Sequence, residues 1–119
     1  MDYKVMKKWV AALRSGKYKQ TNGQLGRGKL NENCYTVEPK SFCCLGVLCH
    51  VLDPKDQNKT YWDDGTLPFW AQEMAGLQTN HGVYTSSTGK SRDLTIDNDM
   101  AHRRFKKIAD IIEKHWEEL

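Results

Sequence analysis

The sequence predicts a small α+β domain: three to four helices packed around a buried, cysteine-rich helix, with one short β-hairpin. Three observations carry this. Residues 2–15 place apolar side chains on one side of a helix and basic ones on the other. Residues 42–52 are apolar on nearly every side. Residues 17–40 are punctuated by Gly23, Gly26 and Gly28, with Asn22, Asn31 and Asn33 nearby. The chain has 119 residues, 39% hydrophobic and 28% charged. That is one domain, 1–119, because single domains cluster at ~100–150 residues. Its aromatic share of 10% argues against disorder. The longest near-unbroken apolar run, Phe42 to Leu52, falls short of the ~20 residues a membrane span needs.

The first helix is read as Asp2 to Ser15. At 100° per residue, Val5, Met6, Trp9, Val10 and Leu13 share one face, and Lys4, Lys7, Lys8 and Arg14 the other. Asp2 is the expected N-cap, and Gly16 the residue that ends the helix. Next, extended stretches at Tyr18 to Leu25 and Cys34 to Val37 are expected to pair as the hairpin. Gly26-Arg27-Gly28-Lys29 reads as a mobile basic loop tip, since it lacks the Gly-x-x-x-x-Gly-Lys-Ser/Thr pattern of a phosphate-cradling loop.

Ser41 is the expected cap of the central helix, Phe42 to Leu52, which Asp53-Pro54 stops. A helix apolar all round belongs in the core, and Gly46 within it suggests close approach of another backbone. Thr66 is expected to cap a short helix from Leu67 to Ala75, ended by Gly76, with Leu67, Trp70, Met74 and Leu77 as its packing stripe. Residues 78–92 read as a surface loop with a short strand at Val83 to Thr85. One last helix is expected from Asp97–Asp99 to the C-terminus, with Phe105, Ile108, Ala109, Ile112 and Trp116 inward. Its bases come early and its acids late, against the helix dipole. Lys106–Asp110 and Asp110–Lys114 are expected to pair and offset this.

Several blocks form a recognisable series. Trp9-Val10-Ala11-Ala12-Leu13-Arg14-Ser15-Gly16-Lys17-Tyr18-Lys19-Gln20 comes first, then Phe42-Cys43-Cys44-Leu45-Gly46-Val47-Leu48-Cys49. Leu67-Pro68, Trp70 through Leu77, and Leu94 with Asn98-Asp99 follow. Phe105 and Ile108-Ala109-Asp110-Ile111-Ile112-Glu113 close it. In these blocks the chain resembles a family of small bacteriophage and prophage proteins of uncharacterised activity. The resemblance implies a protein made in the cytoplasm of an infected bacterium and not exported. The start, Met1-Asp2-Tyr3-Lys4, agrees, having no apolar stretch of a secretory signal.

Catalytic chemistry finds little support. Four cysteines, Cys34, Cys43, Cys44 and Cys49, read as buried, reduced thiols. A zinc site is not expected: Cys43 and His50 are about 10 Å apart along a helix, and no Cys-x-x-Cys occurs. A Cys43 or Cys44 nucleophile needs a lowered pKa, whereas apolar surroundings raise it. Gly-x-Ser-x-Gly is absent. The pairs Asp63-Asp64 and Asp97/Asp99 read as caps or solvated loop acids. No cofactor, metal or catalytic residue is therefore expected, and the chain is read as not an enzyme.

Charge is asymmetric. Residues 1–30 hold eight Lys/Arg against one acid, while the remainder is net acidic. The expected work is stoichiometric binding, of a host protein or an anionic, nucleotide-like small molecule, in host takeover or counter-defence. Nucleic-acid binding through the basic N-terminal face, with Tyr18 stacking, is the alternative. No membrane partner is expected. Candidate binding residues are Arg14, Tyr18, Lys19, Gln20 and Arg27 on one side, and Asn98, Arg103 and Arg104 on the other. Asn98-Asp99 equally reads as a helix cap.

Overall fold

A computed structural model describes residues 1–56 and 61–119. Among these described residues, five helices and two small antiparallel hairpins make an α+β domain: α1 (Tyr3–Arg14), β1 (Gly26–Leu30), β2 (Thr36–Phe42), α2 (Cys44–Leu52), α3 (Phe69–Ala75), β3 (Val83–Thr85), β4 (Ser91–Asp93), α4 (Leu94–Asp99) and α5 (Phe105–His115). Among the described residues no helix is long and apolar enough to cross a membrane.

The core forms around α2, whose residues from Cys44 to Cys49 are all buried. Helix α1 packs its Met6–Trp9–Val10–Leu13 face on α2 and α5, and α5 answers with Phe105, Ile108, Ala109 and Ile112. The buried Trp9 indole donates from Nε1 to the Cys44 carbonyl at 2.9 Å, so no polar atom is stranded there. Asp2 caps α1 through the Val5 amide, and Gly16 leaves it at positive φ, both as the sequence indicates. Gly46 meets the backbone of Leu25: a Cβ there would stand 1.8 Å from the Leu25 carbonyl oxygen.

Several boundaries differ from expectation. The hairpin forms, but from β1 and β2, with Gly26 opposite Phe42 and Leu30 opposite Thr36. Gly26 to Lys29 is therefore strand, not loop tip. The turn falls at 31–35, where the Asn31 side chain accepts the amides of Asn33 and Tyr35. Because Ser41 and Phe42 finish β2, the cap of α2 is Cys43, whose Sγ accepts the Gly46 amide at 3.4 Å. Helix α3 begins after Pro68 without a side-chain cap, and Thr66 instead accepts a bond from Asn80. Ala71 and Ala75 face the core there, whereas Met74 is 56% exposed.

The last helix is two. Asp93 caps α4 through the Ile96 amide, and residues 100–104 interrupt the chain before α5. His102 sits at φ +51°, which a continuing helix does not permit. Glu117 and Glu118 then lie beyond α5, and Lys114 and His115 occupy its last turn, a smaller conflict with the dipole than expected. Asp110 pairs with Arg14 of α1 in place of the expected lysines of its own helix.

Candidate functional site

The segment after α1 is laid against the end of β2. The Phe42 amide donates to Lys19 O and the Thr21 amide to Phe42 O, both at 2.8 Å. This pins the backbone on either side of Gln20, whose side chain reaches α4. The Gln20 Nε2 donates to Asn98 Oδ1 at 2.9 Å and to the Arg103 carbonyl at 2.7 Å.

Asn98 is the hub. Only 2% exposed, its Oδ1 also accepts the Cys44 amide at 3.1 Å, at the first turn of α2. Its Nδ2 donates to the Thr21 carbonyl and to Asp99 Oδ1, each at 2.8 Å. All the hydrogen-bonding capacity of the carboxamide is thereby used. Asn98 is a cap after all, but of α2 and not of its own helix.

Above this floor lies a cleft of about 240 Å³, lined by Gln20, Thr21, Asn22, Asn98, His102 and Arg104. Both N–H groups of Gln20 are committed, and its Oε1 has no hydrogen-bond partner among the described residues. Arg104 has no carboxylate partner among the described residues. Arg27 reaches the wall, donating to the Asn22 carbonyl at 3.3 Å, and Asn22 Nδ2 lies 3.4 Å from His102 Nδ1.

Of the candidate residues, then, Gln20, Asn98 and Arg104 line one cleft, Arg103 lends its carbonyl and Arg27 braces the rim. The others are engaged elsewhere. Arg14 bonds Asp110 at 2.7 Å and Glu113 at 3.1 Å, fastening α1 to α5. Glu113 and Asp110 raise its pKa further above the usual arginine value, and Arg14 lowers that of Glu113. Tyr18 packs edge-on against Phe42, with its hydroxyl 2.6 Å from His50 Nδ1. Burial raises its pKa. Lys19 contributes its backbone to Phe42 and leaves its side chain exposed.

The cysteines divide. Burial pushes the Cys43 thiol up to about 12 and those of Cys44 and Cys49 well above their usual value. Such groups are thiols at neutral pH and poor nucleophiles. Cys34, expected to be buried, is exposed in the β1–β2 turn. Among the described residues no three His, Cys, Asp or Glu side chains gather as metal ligands.

Asp97 is neither a cap nor a solvated acid. It is wholly buried and bonded to Arg92, Arg103 and Tyr84. Sequence reasoning missed Arg92, because nothing local marks an arginine in a Ser/Thr-rich loop as the partner of an acid in the next helix.

A family model described as a domain of unknown function, DUF8296, matches residues 1–116. The chain belongs to this family. No curated protein and no solved structure matches it. The match takes in every residue that lines the cleft, from Gln20 to Arg104, together with the α2 segment on which Asn98 rests.

Proposed function

We propose that this DUF8296 protein works by stoichiometric binding, holding a small anionic, nucleotide-like molecule in the Gln20–Asn98–Arg104 cleft. In the setting implied by the resemblance, it is made by a phage in the host cytoplasm and sequesters that molecule for takeover or counter-defence. One observation carries the reading. Gln20 spends its two N–H groups fixing the floor, while its side-chain carbonyl and the Arg104 guanidinium have no partner among the described residues. A free guanidinium favours an anion, and donors beside an acceptor suit a ligand with a hydrogen-bonding edge. Asn98, locked at every polar atom, keeps the floor rigid, which lowers the ordering cost of binding.

The cleft holds about 240 Å³, below the roughly 300–1,000 Å³ of pockets that enclose drug-sized ligands. A compact ligand fits, or one whose body projects into solvent. Nucleic-acid binding along the N-terminal face is the weaker reading, since Tyr18 turns its hydroxyl to His50 and Arg14 is tied to α5.

The test is to denature protein purified from bacteria and identify released molecules by mass spectrometry, alongside a pull-down from bacterial lysate. A released anionic compound, retained poorly by Arg104→Ala, supports the proposal. A captured host enzyme, bound equally by wild type and Arg104→Ala, replaces it with inhibition. Turnover of a captured compound overturns the binding-only reading.

A further inference from the structure

On the other side of the 100–104 connection lies a second cleft, of about 210 Å³. It uses none of the residues that line the first. The β3–β4 hairpin supplies Tyr84, Ser86, Ser87 and Arg92, the connection supplies Arg103, and α5 supplies Lys107, Ile111 and Lys114, with Asp110 and His115 also on the wall. Lys107, Ile111 and Lys114 are spaced i, i+4, i+7, so they share one helical face.

Behind this lining, out of contact with solvent, lies the Asp97 carboxylate, 0% exposed. Arg92 donates to it at 2.7 Å and Arg103 at 3.2 Å, and the Tyr84 hydroxyl donates to its second oxygen. The Arg103 amide adds a bond to the Asp97 carbonyl at 2.9 Å. One buried acid thus orients two guanidiniums and neutralises only one of them. Both remain about a third exposed, and the buried Arg92 Nε has no partner among the described residues. The other acids nearby are already engaged: Asp110 with Arg14, and Glu118 with His115 and the Thr85 amide. Lys107 and Lys114 have no ion-pair partner among the described residues. Positive charge is in excess, and it is held in place.

We infer that the Arg92–Arg103–Lys107–Lys114 cleft is a second ligand site, taking a phosphate group. The chemistry fits phosphate better than a carboxylate. A phosphate monoester carries close to two negative charges and three terminal acceptor oxygens. Two pre-oriented guanidinium forks match those oxygens, and two lysines add point charges. Half-buried Ser86 and exposed Ser87 also line the cleft and offer hydroxyls to a phosphate or its ester substituent. The inference stands apart from the first cleft and does not need it.

The experiment is calorimetric titration of the protein with inorganic phosphate, glycerol phosphate and acetate at fixed ionic strength. Saturable binding of either phosphate, with acetate much weaker, is expected. Preference for the ester or for the free ion identifies the source of the group. Lys107→Ala with Lys114→Ala, both surface changes, is expected to weaken phosphate binding about tenfold or more. Lys4→Ala, an exposed change on α1 away from both clefts, is expected to leave it unchanged. Arg92→Ala carries a larger loss, and the lysine pair decides the matter if that variant unfolds. No saturable phosphate binding, equal binding of acetate, or a lysine variant that binds like wild type overturns the site.

Discussion

Gln20 and Asn98 stand 78 positions apart and meet side chain to side chain at 2.9 Å. Through Asn98 that contact continues to the Cys44 amide at the head of α2. The loop after α1, the core helix and α4 are therefore joined by one carboxamide, and the cleft sits on the joint.

Asn98→Ala strands the Cys44 amide, the Thr21 carbonyl and one Gln20 N–H. Each lost partner of a buried polar group costs ~1–3 kcal/mol, so with three stranded groups the variant is expected to lose ~3 kcal/mol or more of stability. Urea unfolding measures this. A loss under ~0.5 kcal/mol, the range of an ordinary surface change, contradicts the role given to Asn98.

Gly46→Ala drives a methyl group to 1.8 Å from the Leu25 carbonyl oxygen, which is backbone and also accepts the Cys43 amide at 3.1 Å. Neither partner yields without opening the core. A loss of ~3 kcal/mol or more, or failure to fold, is expected, at the upper end for overpacking. Circular dichroism and urea unfolding read it, and a variant as stable as wild type refutes the packing.

Two ion-pair centres are expected to behave oppositely. Arg14, with Asp110 and Glu113, lies in solvent, where such pairs contribute little. Arg14→Ala should leave the unfolding midpoint near wild type. Asp97→Asn removes the counter-charge from beneath Arg92 and Arg103, and lost partners of buried charges are costly. Its midpoint should fall clearly below that of Arg14→Ala. Equal midpoints contradict the arrangement.

Alkaline pH should destabilise the fold. Burial raises Cys43, and burial with the Asp97 bond raises Tyr84, each to about 12. Unfolded, these groups titrate near ~8.5 and ~10. Below those values both states are protonated and no pH dependence arises from them. Above, the unfolded chain releases protons that the folded chain retains, so stability falls from pH ~8.5 toward 12. Urea midpoints flat between pH 8 and 10.5 contradict this. An alkylating probe at neutral pH should modify Cys34 alone until the protein unfolds.

Much of the helical framework was legible because its signals are local. Asp2, Gly16 and Gly76 mark helix ends by capping and positive φ, and the apolar run at 42–52 announces a core. The β1 strand was not legible, since glycine is depleted in strands. Here Gly26 serves because the Trp62 ring lies 2.7 Å from where its Cβ would stand. The break at 100–104 was hidden as well, since the apolar stripe of α5 says nothing of where the chain turns before it. Gln20, Asn98 and Arg104 were legible as polar groups near helix ends, yet their meeting depends on contacts across 78 residues that no local pattern encodes. Arg14 and Tyr18 misled for the same reason: their partners, Asp110 and His50, are distant in sequence.

The most direct measurement is native mass spectrometry of the chain purified from bacterial cells, wild type beside Arg104→Ala. A mass excess of one small molecule on the wild type, absent or much reduced on the variant, is the predicted result. Identical spectra, with no bound mass on either protein after incubation with a bacterial metabolite extract, contradict the account.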